Sequence, residues 1–278
     1  MRSRALPVVI VVAVALAVAA FASAAAIQQS SGKLLLQAGV EGSVKAKCKQ
    51  PNRKGRPKAA LVGSGFRGTG FTVANHGMVP KHKSVKGTEI NDGAAASKAT
   101  IRAYCARGIE TEIRSVTASF TASTTHNFFV ECAKGEKAIS GGWHVAGTPP
   151  QFWTVQNSIR QGSRSWVVSA AATEPGKLKA YAVCTPDPVK LIARKGPKTQ
   201  TIGNQTVESI AKCPAGTVAA AGGFETNVDE GTPFSAVVAP VATLRKGQRT
   251  WVSRGAAELT KPGQYIRAQA ICMETAAG

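Results

Sequence analysis

The residue types that most often perform catalysis are sparse and scattered in this chain. Only four histidines occur, His76, His82, His126 and His144, and no serine lies in the Gly-x-Ser-x-Gly pattern of a nucleophile elbow. The fifteen acidic residues form no pair that recurs along the chain, as a repeated glycosidase site would require. His76 and His82 lie in a basic, Gly- and Pro-containing stretch, interpreted as a loop, whose charge would repel a metal cation. We therefore expect no catalytic residue, no metal and no cofactor, and predict that the protein is not an enzyme.

One arrangement keeps a hydrolase open as an alternative. Glu131, Trp143 and His144 lie close together in the sequence, and each occurs without a counterpart elsewhere in the chain. A carboxyl group and an imidazole can exchange protons with a substrate, and the indole could hold a sugar ring. Such a site would suit an enzyme that acts on a wall polymer.

Cysteine is the reactive residue type whose spacing is regular. The six cysteines form three pairs, and each pair brackets a similar phrase, so that a repeat recurs about every 80 residues. No Cys-x-x-Cys spacing occurs, which argues against zinc binding and thiol exchange. Cysteines in an exported chain favour disulfides. Because each repeat should close on itself, the expected pairs are Cys48–Cys105, Cys132–Cys184 and Cys213–Cys272.

Alternation of side chains predicts that the segments around these cysteines are β-strands. Ala180 and Ala182 precede Cys184 at every second position, and Ala268 and Ala270 precede Cys272 in the same way. This period of two indicates strands with one buried face. Each repeat predicts about five antiparallel strands; in the third they cover 205–213, 217–225, 234–244, 250–259 and 264–273.

We therefore expect an all-β protein of three tandem antiparallel modules, each of about 80 residues and closed by one disulfide, behind an N-terminal signal peptide. The expected parts are a signal peptide at 1–24, a linker at 25–40, a divergent first module with a basic insertion at 41–115, a second module at 116–188, a basic linker at 189–201 and a third module at 202–278. The modules could sit as beads or pack around a pseudo-threefold axis, and the short connections favour packing.

The N-terminus has the pattern of an export signal. Arg2 and Arg4 precede an apolar run over 5–20, and Ala22-Ser23-Ala24 follows as a cleavage pattern of small residues. An uncleaved membrane anchor is the alternative, since the 22 residues from Ala5 to Ala26 are just long enough to span a bilayer. We expect a secreted, extracellular protein that could associate with the cell surface, with membrane attachment only if the segment stays uncleaved. The oligomeric state stays open.

The positive charge is concentrated in the first repeat. The chain has a formal net charge of +20, and no acidic residue lies between Gly42 and Gly87. A polycationic surface attracts anionic polymers, so anionic wall or extracellular polymers are the expected partners. No motif or interleaved aromatic residues accompany the charge, so we expect no specific recognition of nucleic acid. The candidate binding residues are Lys45, Lys47, Lys49, Arg53, Lys54, Arg56 and Lys58, of which the last five lie in or beside a projecting loop.

The four tryptophans divide into two groups. Trp166 and Trp251 occupy matching positions, and we expect them to be buried over the small, alanine-rich core. The first repeat has Glu89 where these tryptophans are expected. Trp143 and Trp153 occur only in the second repeat, so they are the candidate binding residues of an alternative function, a lectin-like carbohydrate-binding protein. The Gly-Gly pairs before Trp143 and Phe224 predict a bulge or a close backbone approach.

The phrase that runs from Cys132 to Trp143 and from Cys213 to Phe224 resembles tandem repeats in secreted proteins of high-GC Gram-positive (actinobacterial) bacteria. Similar phrases occur in some bacterial adhesin tips and phage tail modules. The repeat extends over 44–273, but the first copy departs from it, with an insertion after Cys48, Ser64 in place of the first glycine and no tryptophan. The resemblance implies a structural frame and no particular activity.

Overall fold

The computed structural model of the protein describes residues 27–51, 55–68, 73–91, 93–146, 153–186, 189–202, 205–227, 238–257 and 263–274. The expected signal peptide, Arg53 and Lys54 lie outside these ranges. Every regular element within them is a β-strand, which confirms the all-β prediction. No helix in the described part of the chain is long and apolar enough to cross a membrane.

The described residues form nineteen strands, which are numbered here in chain order. The first repeat contributes β1 (Gln28–Leu36), β2 (Glu41–Lys47), β3 (Ala59–Gly68), β4 (Val73–Lys81), β5 (Ser84–Asn91) and β6 (Ser97–Arg107). The second contributes β7 (Glu112–Phe120), β8 (Thr125–Glu131), β9 (Lys137–Ala146), β10 (Trp153–Gln161), β11 (Ser165–Ala172) and β12 (Gly176–Thr185). The third contributes β13 (Leu191–Lys195), β14 (Thr199–Gln200), β15 (Val207–Lys212), β16 (Thr217–Thr226), β17 (Ala239–Lys246), β18 (Thr250–Ala256) and β19 (Tyr265–Glu274).

The strands form three antiparallel sheets, and each sheet combines strands of two repeats. Sheet I has the order β2-β5-β4-β9-β12-β7, and sheet III has the order β15-β18-β17-β3-β6-β1. Sheet II has the order β8-β11-β10-β16-β19-β13, with β14 also paired to β19. Three strands of one repeat thus continue into three of the next, and the third repeat joins the first. This closed exchange is the packing of repeats around a pseudo-threefold axis, not a string of beads.

The two segments expected to be linkers are instead outer strands of the sheets. The segment 25–40 contains β1, which pairs with β6, and 189–201 contains β13 and β14, which pair with β19. The expected boundary at 115/116 falls inside β7, which pairs with β12 in the same way. Each repeat therefore begins with an outer strand along its own closing cysteine strand. These outer strands are mostly exposed or half-buried, so their apolar signal is weak.

Each disulfide connects two different sheets. The structure contains Cys48–Cys105, Cys132–Cys184 and Cys213–Cys272, the pairing expected from the repeat. The opening cysteines follow β2, β8 and β15, and the closing ones lie in β6, β12 and β19, so the bonds join sheets I and III, II and I, and III and II. Each opening cysteine donates its N–H to a carbonyl in one of the hairpins β4–β5, β10–β11 and β17–β18. These hairpin turns therefore lie beside the disulfides, at what we call the disulfide end of the molecule. In the chain-entropy estimate each bond stabilises the fold by about 4 kcal/mol.

Three aromatic rings meet at the centre of the molecule. Phe66, Trp143 and Phe224 follow the glycine pair, or its Ser-Gly equivalent, in the three repeats, and all are buried. Their ring centroids are 6.1, 6.0 and 6.4 Å apart, and each pair meets edge to face at 83–85°. This aromatic triangle lies where sheets pass from one repeat to the next, since these residues pair with Thr243, Met78 and Ser158 of neighbouring repeats.

The second glycine of each pair permits these crossings. A Cβ on Gly142 would overlap the backbone oxygen of Met78, and one on Gly223 would overlap that of Ser158. Gly65 makes the same approach to Thr243. The close backbone approach expected at the glycine pairs is therefore confirmed, whereas the irregular register lies a few residues earlier in each strand.

Trp166 and Trp251 are buried, as expected. Their indole N–H groups donate to Ser158 Oγ at 3.0 Å and to Thr243 Oγ1 at 2.8 Å. The residue at this position in the first repeat is Val85, and the alignment of Glu89 with the tryptophans was wrong. Val85 pairs with Ala46 two positions before Cys48, as Trp166 and Trp251 pair with the residues two positions before Cys132 and Cys213.

Candidate functional site

Strand pairing gathers the cations of the first repeat at one corner of the disulfide end. Lys45 lies directly opposite Lys86 across the β2–β5 pair, and Lys47 lies opposite Ser84. The β4–β5 hairpin adds two more lysines beside the start of β5. The resulting cationic corner consists of eight exposed side chains: Lys45, Lys47, Lys49, Arg56, Lys58, Lys81, Lys83 and Lys86.

The basic insertion is closed at its base by one side chain. Gln50 Nε2 donates to the Ala59 carbonyl at 2.9 Å, and the Ala59 N–H donates to Gln50 Oε1 at 3.1 Å. This pair of hydrogen bonds joins the two ends of the insertion. The backbones of Lys49 and Lys58, which are the sequence neighbours of Gln50 and Ala59, therefore lie close together. Arg56 is exposed in the described part of the loop, and Arg53 and Lys54 lie outside it.

The cations of this corner are not neutralised within the described part of the chain. None of the eight forms an ion pair with a described carboxylate, whereas Arg254, Lys195 and Arg114 on other surfaces pair with Glu208, Glu225 and Glu136. These eight like charges repel one another and attract counter-ions from the solvent. A bound anionic polymer would replace those counter-ions.

Lys83 differs from its equivalents in the other two repeats, which cap the carbonyl of the opening cysteine. The equivalent residues Arg164 and Arg249 each donate two hydrogen bonds, from Nε and one terminal nitrogen, to the carbonyls of Cys132 and Cys213 at 2.9–3.1 Å. In the first repeat the carbonyl of Cys48 accepts a hydrogen bond from Gln50 instead, at 3.4 Å. Lys83, the equivalent residue of the first repeat, is exposed like the two arginines, but the Cys48 carbonyl is bonded to Gln50 in place of it.

The role given to Trp143 and Trp153 as exposed sugar-binding residues was wrong. Trp143 is 3 % exposed as part of the aromatic triangle, and Trp153 is 5 % exposed, with its ring centroid 5.0 Å from that of His76. Both indoles project between the sheets because their strand positions face inward. Neither offers a ring face on which a sugar could stack.

The residues of the alternative hydrolase site are not brought together. Glu131 is exposed on β8 of sheet II, where its carboxylate lies 4.0 Å from Arg164. Trp143 and His144 lie on β9 of sheet I and point to opposite faces, Trp143 inward and His144 outward. His76 lies in β4 rather than in a loop, and its Nδ1 is 2.9 Å from the Glu41 carboxylate.

The interior offers no room for a ligand in the described cavity. It lies beside the aromatic triangle, its volume is about 10 Å³, and its walls include Phe66, Trp143 and Phe224. Such a space holds at most one water molecule. The described cluster of Cys132, Glu136 and Cys184 is not a metal site, because the sulfurs are joined in a disulfide and Glu136 accepts two hydrogen bonds from Arg114.

Glu89 is a buried acid that none of the sequence arguments singled out as a site. It is 0 % exposed, and its one described partner is the side-chain amide of Asn75, which donates to Oε1 at 2.6 Å. Burial raises the pKa of Glu89 well above its usual range, and the Asn75 hydrogen bond opposes this only in part. A fully buried carboxyl of this kind suits a neutral core group rather than a catalytic acid.

No protein-family model matches the chain, and no curated protein matches it. The interpretation of the cationic corner therefore depends on its own chemistry.

Proposed function

We propose that the protein is a secreted, non-catalytic binding protein that engages anionic extracellular polymers through the cationic corner. The observation that carries this proposal is the direct pairing of β2 with β5, which adds Lys86 and the β4–β5 hairpin to the lysines of β2 and the following loop. Neutralising several anionic groups with one such surface releases their counter-ions and gives binding that depends steeply on salt.

Export is supported by the cystines and by the N-terminal segment. Three disulfides and no free cysteine among the described residues are typical of an oxidising compartment. Together with the cleavage pattern at Ala22-Ser23-Ala24, they support a cleaved signal peptide and an extracellular location.

Binding of the purified mature protein to immobilised dextran sulfate over a range of salt concentrations tests the proposal. We expect the logarithm of the binding constant to fall linearly with the logarithm of salt concentration. The triple variant Lys47→Gln/Lys49→Gln/Lys83→Gln should reduce the slope by about three, since each lost contact removes about one.

The matched control removes three cations from sheets II and III. Lys33→Gln/Arg194→Gln/Lys246→Gln changes the net charge equally, at exposed positions of β1, β13 and β17. Its slope should stay near that of the wild type. Equal losses in the two triple variants would mean that net charge alone attracts the polymer, and salt-insensitive or undetectable binding would refute the proposal.

A further inference from the structure

One row of directly paired positions crosses the outer face of sheet I from edge to edge. Directly paired positions on its six strands are Ser43, Thr88, Gly77, His144, Lys179 and Thr117. The neighbouring row, toward the disulfide end, begins with the paired lysines Lys45 and Lys86 of the cationic corner. The corner is therefore continuous with a row that crosses the whole sheet.

Two further cations lie on the far half of this face, on β12. Lys177 and Lys179 project outward from β12, and the exposed His144 lies beside them. A Cβ on Gly77 would lie 3.2 Å from His144 Nδ1, so the imidazole lies over β4 and bridges the two halves of the sheet. Partial desolvation of the ring and then the charge of Lys86 lower the pKa of His144; the charge of Lys179 also lowers it, whereas that of Glu41 raises it. Lys179 is paired directly with His144 on the neighbouring strand.

The paired lysines of the cationic corner have apolar equivalents in the other two sheets. The pair that corresponds to Lys45 and Lys86 is Phe129 and Val167 in sheet II, and Ile210 and Val252 in sheet III. In sheet II the residue that corresponds to His144 is Glu225, which pairs with Lys195 and Arg267. The equivalent row of sheet III does carry two exposed cations, Arg67 and Lys33, so sheet I is distinguished by the cationic corner that lies beside its row.

Hydroxyl groups border the cations on the far edge of the face. Ser115, Thr117 and Ser119 are exposed on β7, directly opposite the outward positions of β12. Ser43 is exposed at the other edge. Tyr181, the aromatic side chain of the face, is 9 % exposed, and Lys179 Nζ lies 5.5 Å from its ring centroid. Hydroxyls can bind sugar hydroxyls, whereas single-stranded nucleic acid is held largely by bases stacked on exposed aromatic rings.

We propose that the ligand is an anionic polysaccharide that lies across the strands of sheet I, from the cationic corner to Lys177, Lys179 and the hydroxyls of β7. This assignment rests on the proposed function and adds the class of polymer and its path. Strands lie about 4.8 Å apart, so six strands span about 24 Å, the length of several sugar residues. A short oligosaccharide would reach only part of this surface.

Sulfated oligosaccharides of defined length, from two to ten sugars, test the path by titration calorimetry. Affinity should rise at least about tenfold from the disaccharide to the octasaccharide and then level off, since each additional ionic contact adds to the counter-ion release. Lys177→Gln/Lys179→Gln should abolish this gain and reduce the salt slope for the octasaccharide by about two, with disaccharide affinity unchanged. The control Lys33→Gln/Arg67→Gln, on the outer face of sheet III, should behave as the wild type. Unchanged melting temperatures verify that the variants are folded.

The outcomes separate this inference from the proposed function. Length-independent binding that needs Lys47 and Lys49 but not Lys179 would overturn the path across sheet I and leave the cationic corner as the binding site. Tighter binding of oligothymidylate than of the octasaccharide, through the same lysines, would overturn the polysaccharide assignment. The absence of binding to any of these polyanions would reject both proposals.

Discussion

The ring of Trp143 meets the ring of Phe224 edge to face, with centroids 6.0 Å apart, although the two residues belong to different repeats and different sheets. Phe66 completes the triangle from the remaining repeat. The three equivalent aromatic residues thus join all three sheets at one point. The core of the protein therefore forms only when the three repeats pack together. We infer that a repeat on its own would lack the two rings that its aromatic residue contacts. It would also lack the strands that complete the sheets it shares with the other repeats.

Truncation of the triangle should therefore destabilise the whole molecule. Phe224→Ala removes a fully buried ring, and we expect it to lower the free energy of unfolding by about 3–5 kcal/mol, as measured by denaturant titration. Phe129→Ala is the matched control, because the Phe129 side chain is 53 % exposed, and it should cost less than about 1 kcal/mol. Comparable losses in the two variants would contradict a central role for the triangle.

A methyl group at the strand crossing should be poorly tolerated. In Gly142→Ala the new Cβ overlaps the Met78 carbonyl oxygen, which belongs to a paired backbone and cannot move aside cheaply. We expect a loss of at least about 2 kcal/mol in unfolding free energy. Gly162→Ala provides the comparison, since Gly162 has open space around it and a φ of 63°; its cost should be about 1 kcal/mol of backbone strain. If Gly142→Ala cost no more than Gly162→Ala, the close approach would not limit the fold.

The buried carboxyl of Glu89 should make stability depend on pH in a defined direction. Its pKa is raised in the folded state above the ordinary 4.5, so the folded protein holds this proton at pH values where the unfolded chain has lost it. The contribution to stability is complete below pH 4.5 and is lost as the pH rises through the folded-state pKa. Glu89→Gln stays neutral, so its advantage over the wild type should grow with pH in urea titrations from pH 4 to 8. The exposed Glu174→Gln should run parallel to the wild type, and a parallel Glu89→Gln curve would show that the folded protein does not retain the proton.

The equivalent cations Lys83, Arg164 and Arg249, which directly precede β5, β11 and β18, should divide between stability and binding. Arg249→Ala removes two hydrogen bonds to the Cys213 carbonyl and should cost about 1 kcal/mol of unfolding free energy. Lys83→Ala should change stability by less than about 0.5 kcal/mol but reduce the salt slope of polyanion binding by about one. Thermal unfolding and binding measured on both variants check this division; a binding loss for Arg249→Ala as large as for Lys83→Ala would place the polymer around the whole disulfide end.

The sequence predicts the burial of Trp166 and Trp251 but not that of Trp143 and Trp153. Trp166 and Trp251 were expected to be buried because they recur at matching positions, and recurrence is a property of the sequence. Trp143 was assigned to a binding surface because it appeared unique to one repeat. Its alignment with Phe66 and Phe224, all directly after the second glycine, was the signal that could have identified it as a core residue. Trp153 has no such counterpart, and its burial follows from the inward strand position that sheet pairing gives it.

The cationic site shows the same division between local and long-range information. The absence of acids between Gly42 and Gly87 located the charge in the first repeat. It did not indicate that Lys45 would lie opposite Lys86, or that His144 and Lys179 would continue the row from another repeat. Those neighbours depend on register, and a shift of one residue would turn every side chain to the other face.

By itself, the sequence determined the all-β class, the partners of the six cysteines and the concentration of positive charge, because alternation, repeat spacing and composition are written in the order of residues. The tertiary structure alone decided which repeats share a sheet, that Phe66, Trp143 and Phe224 meet, and that the cations of β2 and β12 share one face. The physical reason is that strands pair through backbone groups that are the same in every residue. An alternating pattern can specify a buried face, but the strand that lies beside it is selected only when the whole chain packs.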